Sequence, residues 1–238
     1  MPSTIKTKGI ILKMKDTPGK DKLVYILTPS GLVKAFMTPK RSAGKKSYTV
    51  DLFAHGEVVL YAADSGNYLV NSISPDGFFY GIREDISRLY SAGYFAALSM
   101  YAAEDAETDT ESLYSLLFYA LEALSSGTDI KKVKPAYEFK ISQLIGMTPC
   151  LEAEKKANEY YFAMDDGRLF THSVNSSFLL PRTAVFCIYN VLKADIEQDL
   201  FTQITDDDAE LIYHVAQQYI IYHTERTFDS LKYLNGVI

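Results

Sequence analysis

The feature that most limits what this chain can fold into is a change of hydrophobic period at Pro75-Asp76-Gly77. Before it, apolar residues alternate over short runs cut by turn residues, the spacing of half-buried strands. After it they recur every three or four residues, as on one face of a helix. The expected class is therefore α+β, with a β domain over 1–76 and a helical domain over 77–238.

Upstream, Ile5–Met14 reads as a strand with Ile10, Leu12 and Met14 on one face and Ile11, Lys13 and Lys15 on the other. Lys22–Thr28 and Leu32–Met37 flank a Pro29-Ser30-Gly31 turn. Further strands fit Leu52–Ala62 and Tyr68–Ile73, joined by Asp64-Ser-Gly-Asn67. Five strands in so short a stretch suit a small closed barrel of the OB type. Downstream, helices are expected at Arg83–Ala103, from a cap at 108–110 to Gly127, and at Asp129–Met147 with Pro135 near its first turn. Others are expected at Pro181–Lys193, Asp206–Thr224 and Phe228–Leu234. Residues 150–180 interrupt them, and Asp165-Asp166-Gly167 between apolar runs predicts a hairpin there.

Charge is divided as sharply as period. Residues 1–46 hold eleven Lys and Arg against Asp16 and Asp21, a net +9; the rest of the chain, with 13 basic and 28 acidic residues, carries −15. A basic arm on an acidic body points to a polyanion at one end, nucleic acid being the commonest. The residues expected to bind it are Lys6, Lys8, Lys13 and Lys34 on strands, with Lys40, Arg41, Lys45 and Lys46 in the loop after the third strand. The same lysines would also serve simply to solvate edge strands. Of the aromatics Tyr25, Phe36 and Tyr48, Phe36 shares a strand face with Lys34 and is either a stacking surface for a base or ordinary strand packing.

Little points to catalysis. The sequence contains no HExxH, GxSxG, Walker A or GxGxxG, and its four histidines are scattered. Cys150 and Cys187 form no CxxC, so neither a disulfide framework nor a structural zinc site is expected. Asp206-Asp207-Asp208 after Thr205 reads as a capped helix start. No apolar run reaches the length of a membrane span and no signal peptide is evident, so a cytoplasmic protein is expected, without metal, cofactor or small-molecule substrate.

Taken in order, Thr7-Lys-Gly-Ile-Ile-Leu12, Asp21-Lys-Leu-Val24, Ser30-Gly31-Leu32 and the Pro39–Lys46 loop resemble the first strands and basic loop of the bacterial RecO family of recombination mediators. Arg83-Glu-Asp85, Tyr137-Glu-Phe-Lys-Ile141 with Leu144-Ile-Gly146 and Pro149, and Tyr222–Lys232 are similar to later family segments. Many members carry four zinc-binding cysteines where this chain has only Cys150. That difference implies a zinc-free insertion held by its hairpin and by Tyr160, Tyr161, Phe162 and Phe170.

The resemblance implies a non-enzymatic DNA repair and recombination mediator acting at the nucleoid. Such a protein binds single- and double-stranded DNA, anneals complementary strands and, with RecR, loads RecA onto DNA coated by single-strand-binding protein (SSB). It also implies that the helical domain receives the C-terminal tail of SSB, for which Lys131, Lys132, Lys134 and Lys140 are candidates, as they are for a solvated helix face. A protein adaptor and an RNA-binding barrel remain the alternatives.

Overall fold

A computed structural model describes residues 4–18, 21–38, 51–62, 68–153, 155–234 and 236. The strands β1 (Thr4–Asp16), β2 (Lys22–Thr28), β3 (Gly31–Met37), β4 (His55–Ala62) and β5 (Tyr68–Gly77) close into a barrel in the order β1-β2-β3-β5-β4. Neighbours are antiparallel except β3 and β5, which meet in parallel at Ala35–Tyr68 and Phe36–Leu69. This is the OB-type barrel expected from the sequence. β5 runs past Pro75, which is tolerated because the ladder with β4 is irregular at His55–Gly56.

The first strand departs from its expected two-faced pattern, since every residue from Gly9 to Leu12 is buried. Ile11 joins the barrel interior with Val24, Ile26, Val58 and Leu60, whereas Ile10 and Leu12 pack with Leu27 and Phe53 into the core of the helical body. Alternation predicts one wet face, and this strand is held between two cores. A register shift against β2 between Ile11 and Lys13 then changes the phase, so Met14 turns to the barrel interior and not to the side of Ile10.

The helices are α1 (Ile86–Ala102), α2 (Thr110–Ser125), α3 (Ile130–Leu144), α4 (Arg182–Lys193), α5 (Asp206–Thr224) and α6 (Asp229–Leu234). α1 starts later than its periodicity suggests, because Tyr80–Glu84 form a 3₁₀ turn and Asp85 is extended, its carboxylate accepting from the Arg88 N–H at 2.9 Å. Asp109 and Asp129 cap α2 and α3 in the same way. Thr205 stands at the cap position of α5, but its hydroxyl donates to Asp208 at 3.3 Å instead of accepting from the backbone; Thr183 donates to the same carboxylate at 3.1 Å.

The centre of the body is α3, buried at every position from Val133 to Ser142. Pro135 is its sixth residue, just past the first turn, and removes the N–H that the Lys131 carbonyl would have accepted. The body meets the barrel through Ile10, Leu12 and Leu27, through a bond from the Thr110 hydroxyl to the Pro29 carbonyl at 2.8 Å, and through an Arg83–Asp51 ion pair at 2.7 Å.

The insertion is a three-stranded sheet in the order β7-β6-β8, formed by β6 (Glu159–Ala163), β7 (Leu169–Phe170) and β8 (Ser177–Pro181). The expected hairpin is present with a short second arm, and β8 is an addition to it. Tyr160, Phe162, Leu169 and Leu180 enter the body's core, while Tyr161 and Phe170 stay half-exposed on the opposite face. The turn is pinned by Cys150 N–H to Asp166 and Leu151 N–H to Gly167 bonds at 2.9 and 3.0 Å. Gly167 is required there: its φ is +70°, and an added Cβ would lie 2.6 Å from Pro149 Cα.

Candidate nucleic-acid interface

Side chains directly opposite on paired strands share a face. Lys13 is opposite Tyr25 and Tyr25 opposite Lys34, while Lys15 is opposite Leu23 and Leu23 opposite Phe36. The outer face of β1-β2-β3 is therefore a cationic surface with an aromatic centre. The Lys15 and Lys34 ammoniums lie 5.8 and 5.7 Å from the centroid of the Tyr25 ring. Lys13, Lys15 and Lys34 are exposed, and none pairs with a carboxylate among the described residues.

The other expected strand cations lie elsewhere. Lys6 and Lys8 are on the β1–β4 side of the barrel, where Lys6 pairs with Glu57 at 2.8 Å and Lys8 with Asp76 at 2.6 Å. The hydrogen bond and charge of Asp76 raise the Lys8 pKa and hold the ammonium charged but occupied. Lys40, Arg41, Lys45 and Lys46, with Tyr48, lie outside the described residues. Of the eight site residues expected, the fold thus gathers Lys13 and Lys34. Strand alternation puts Lys15 on the same face as Lys13, yet Lys15 is not among the expected site residues, and the central place of Tyr25 depends on cross-strand register.

The helical lysines are engaged inside the protein. Lys134 is fully buried, pairing with Glu138 one turn along α3 at 2.9 Å and lying 4.0 Å from the centroid of the Tyr213 ring. Lys140 is buried as well, donating to the Leu192 and Ala194 carbonyls at 3.1 and 2.6 Å where α4 ends. Lys131 and Lys132 pair with Glu210 and Asp206 on α5. Each of the four is already engaged within the protein: α5 supplies the carboxylates for Lys131 and Lys132, α3 itself the carboxylate for Lys134, and the end of α4 the carbonyls for Lys140, none of which helical periodicity reveals.

A cleft of about 280 Å³ on the body is lined by Tyr101, Ala102, Glu104, Asp105, Ile145, Met147 and His223. Two carboxylates on its rim make it a poor seat for phosphate, which favours the barrel face. Among the described residues no group of three or more His, Cys, Asp or Glu is placed to hold a metal ion, and no helix is long and apolar enough to cross a membrane.

Comparison with known proteins agrees with the two-part architecture. The family model "Recombination protein O N terminal" matches residues 1–75 and "Recombination protein O C terminal" matches residues 83–232. The DNA repair protein RecO of Alkaliphilus metalliredigens is 26% identical over 241 residues, covering 96% of this chain and 97% of that protein. The DNA repair protein RecO of Clostridium novyi is 25% identical over 248 residues, with 98% and 94% covered. With an OB-type barrel, a helical body and both family models matched over most of its length, the chain belongs to the RecO family of DNA repair and recombination proteins.

Proposed function

We propose that this protein binds single- and double-stranded DNA through its barrel and anneals complementary strands, and that with RecR it promotes RecA loading on DNA covered by single-strand-binding protein. The reading rests on the exposed Lys13, Lys15 and Lys34 around Tyr25. Lys40, Arg41, Lys45 and Lys46, in the segment that follows β3, extend the same positive arm in sequence. Annealing joins two polyanions, so a surface that neutralises phosphate on both lowers their repulsion without making or breaking a bond. No catalytic group is invoked.

Residues 1–76 act as the DNA-binding unit. Residues 77–238, carrying most of the acidic charge and the 150–180 insertion, serve protein partners, including the tail of single-strand-binding protein. That tail docks without Lys134 or Lys140, whose ammoniums are buried. The protein works in the cytoplasm, at the nucleoid.

The test is a titration of labelled DNA at several salt concentrations, comparing the wild type with the triple variant Lys13→Glu, Lys15→Glu, Lys34→Glu. For every phosphate that the variant no longer neutralises, the slope of log affinity against log salt should flatten by about 0.7 on a single strand and about 0.9 on a duplex. An unchanged slope and affinity would remove the barrel face from the binding surface.

A further inference from the structure

We infer that Tyr25 is a stacking platform for an unpaired base, bordered by Lys15 and Lys34 as seats for the adjoining phosphates, so that this face prefers single strands. The inference rests on the DNA-binding reading above and specifies what the site recognises. Tyr25 lies on β2, the middle of the three strands, with Lys13 on one side of it and Lys34 on the other. Its neighbours Val24 and Ile26 are fully buried, which anchors the backbone beneath it, while the ring itself is half-exposed on the outer face. At 5.7 and 5.8 Å from the centroid, near the roughly 6 Å limit of a cation–π contact, the two exposed ammoniums are held only weakly over the ring, so a base can take their place there while they turn to its phosphates. A flat apolar surface between two mobile cations matches a nucleotide, which offers a flat base between two phosphates.

Phe36 does not have this setting. It is opposite Leu23 and, on the other side, Leu69, so its cross-strand neighbours are apolar. Bases in a duplex already stack on one another and offer no free face, so the ring adds affinity only where a strand is unpaired. The lysines act on either form.

The experiment measures full-length wild type, Tyr25→Leu and Tyr25→Phe by fluorescence anisotropy at one fixed salt concentration. The three probes are an oligothymidylate, an abasic deoxyribose-phosphate strand of the same length, and a duplex. Circular dichroism and thermal melting confirm that each variant is folded. Stacking on one base predicts that Tyr25→Leu weakens oligothymidylate binding by roughly 5- to 150-fold and leaves the abasic strand and the duplex within about twofold, while Tyr25→Phe stays near wild type on all three. Equal losses on oligothymidylate and the abasic strand, or no loss on either, overturn the stacking role. Wild type that binds none of the three probes overturns the DNA-binding reading and the inference together; wild type that binds, with Tyr25→Leu indistinguishable from it, removes the inference alone.

Discussion

Lys134→Met isolates the most consequential polar contact of the helical body. Lys134 and Glu138 are both 0% exposed, and the ammonium reaches both carboxylate oxygens, at 2.9 and 3.0 Å. The Tyr94 hydroxyl donates to the same carboxylate at 2.7 Å. Burial pushes the Glu138 carboxyl up and the Lys134 ammonium down, so each charge depends on the other for its presence in the core. Removing the lysine leaves a buried carboxylate without its cation, which should destabilise the protein by about 3–5 kcal/mol. For a chain of this size that lowers the melting temperature by roughly 6–20 °C.

The double variant Lys134→Met, Glu138→Gln keeps an acceptor for Tyr94 and removes the orphan charge, leaving the loss of an unsatisfied amide donor at about 1–3 kcal/mol. It should therefore be more stable than the single variant. Urea unfolding followed by far-UV circular dichroism supplies both values. The sign with pH follows from linkage: in Lys134→Met the folded state holds the Glu138 proton more tightly than the unfolded chain does. The variant should therefore gain stability relative to wild type as pH is lowered from 8 towards 5. Additive losses in the double variant, or a single-variant deficit that does not change with pH, would refute this account.

Two further outcomes follow from the same geometry. His55 sits between barrel and body, its ring 4.4 Å from Phe79 and 5.1 Å from Phe118, and burial lowers its pKa despite the nearby Asp76. Its contribution is complete above the unfolded value near 6.5 and is lost as pH falls below it, with a slope of at most about 1.4 kcal/mol per pH unit. Comparing wild type with His55→Gln from pH 7.5 to 5 should show that component missing in the variant; parallel curves would rule it out. Lys140→Met takes the donor from the Leu192 and Ala194 carbonyls and should reduce stability by about 1–3 kcal/mol, with α4 amides exchanging hydrogen faster than those of α2; uniform acceleration would point to a global effect.

Most of the architecture could be read from local pattern because strand alternation, helical spacing and turn residues act over a few residues. The five strands, six helices and the Asp166-Gly167 turn fall close to where periodicity puts them. The errors cluster where a segment has two partners. At Ile11 the barrel interior takes the face that alternation assigns to water while the helical body takes the Ile10 and Leu12 face, and the register shift that follows reverses Met14. At Lys134 and Lys140, residues that normally mark a wet surface lie on a helix enclosed on all sides. β8 escapes a reading of local pattern because Ser177–Pro181 becomes a strand by pairing with β6, and its own spacing carries no clear signal.

The sequence by itself determined the α+β class, the division between a basic arm and an acidic body, and the family, since these depend on composition, period and ordered motifs. Only the tertiary structure decided which lysines share a surface. Cross-strand register set Lys13 and Lys34 beside Tyr25, the strand phase after Leu12 brought Lys15 to the same ring, and Glu57 and Asp76 claimed Lys6 and Lys8. A charge's availability depends on what lies within a few ångströms of it, and that is set by residues far away in the chain.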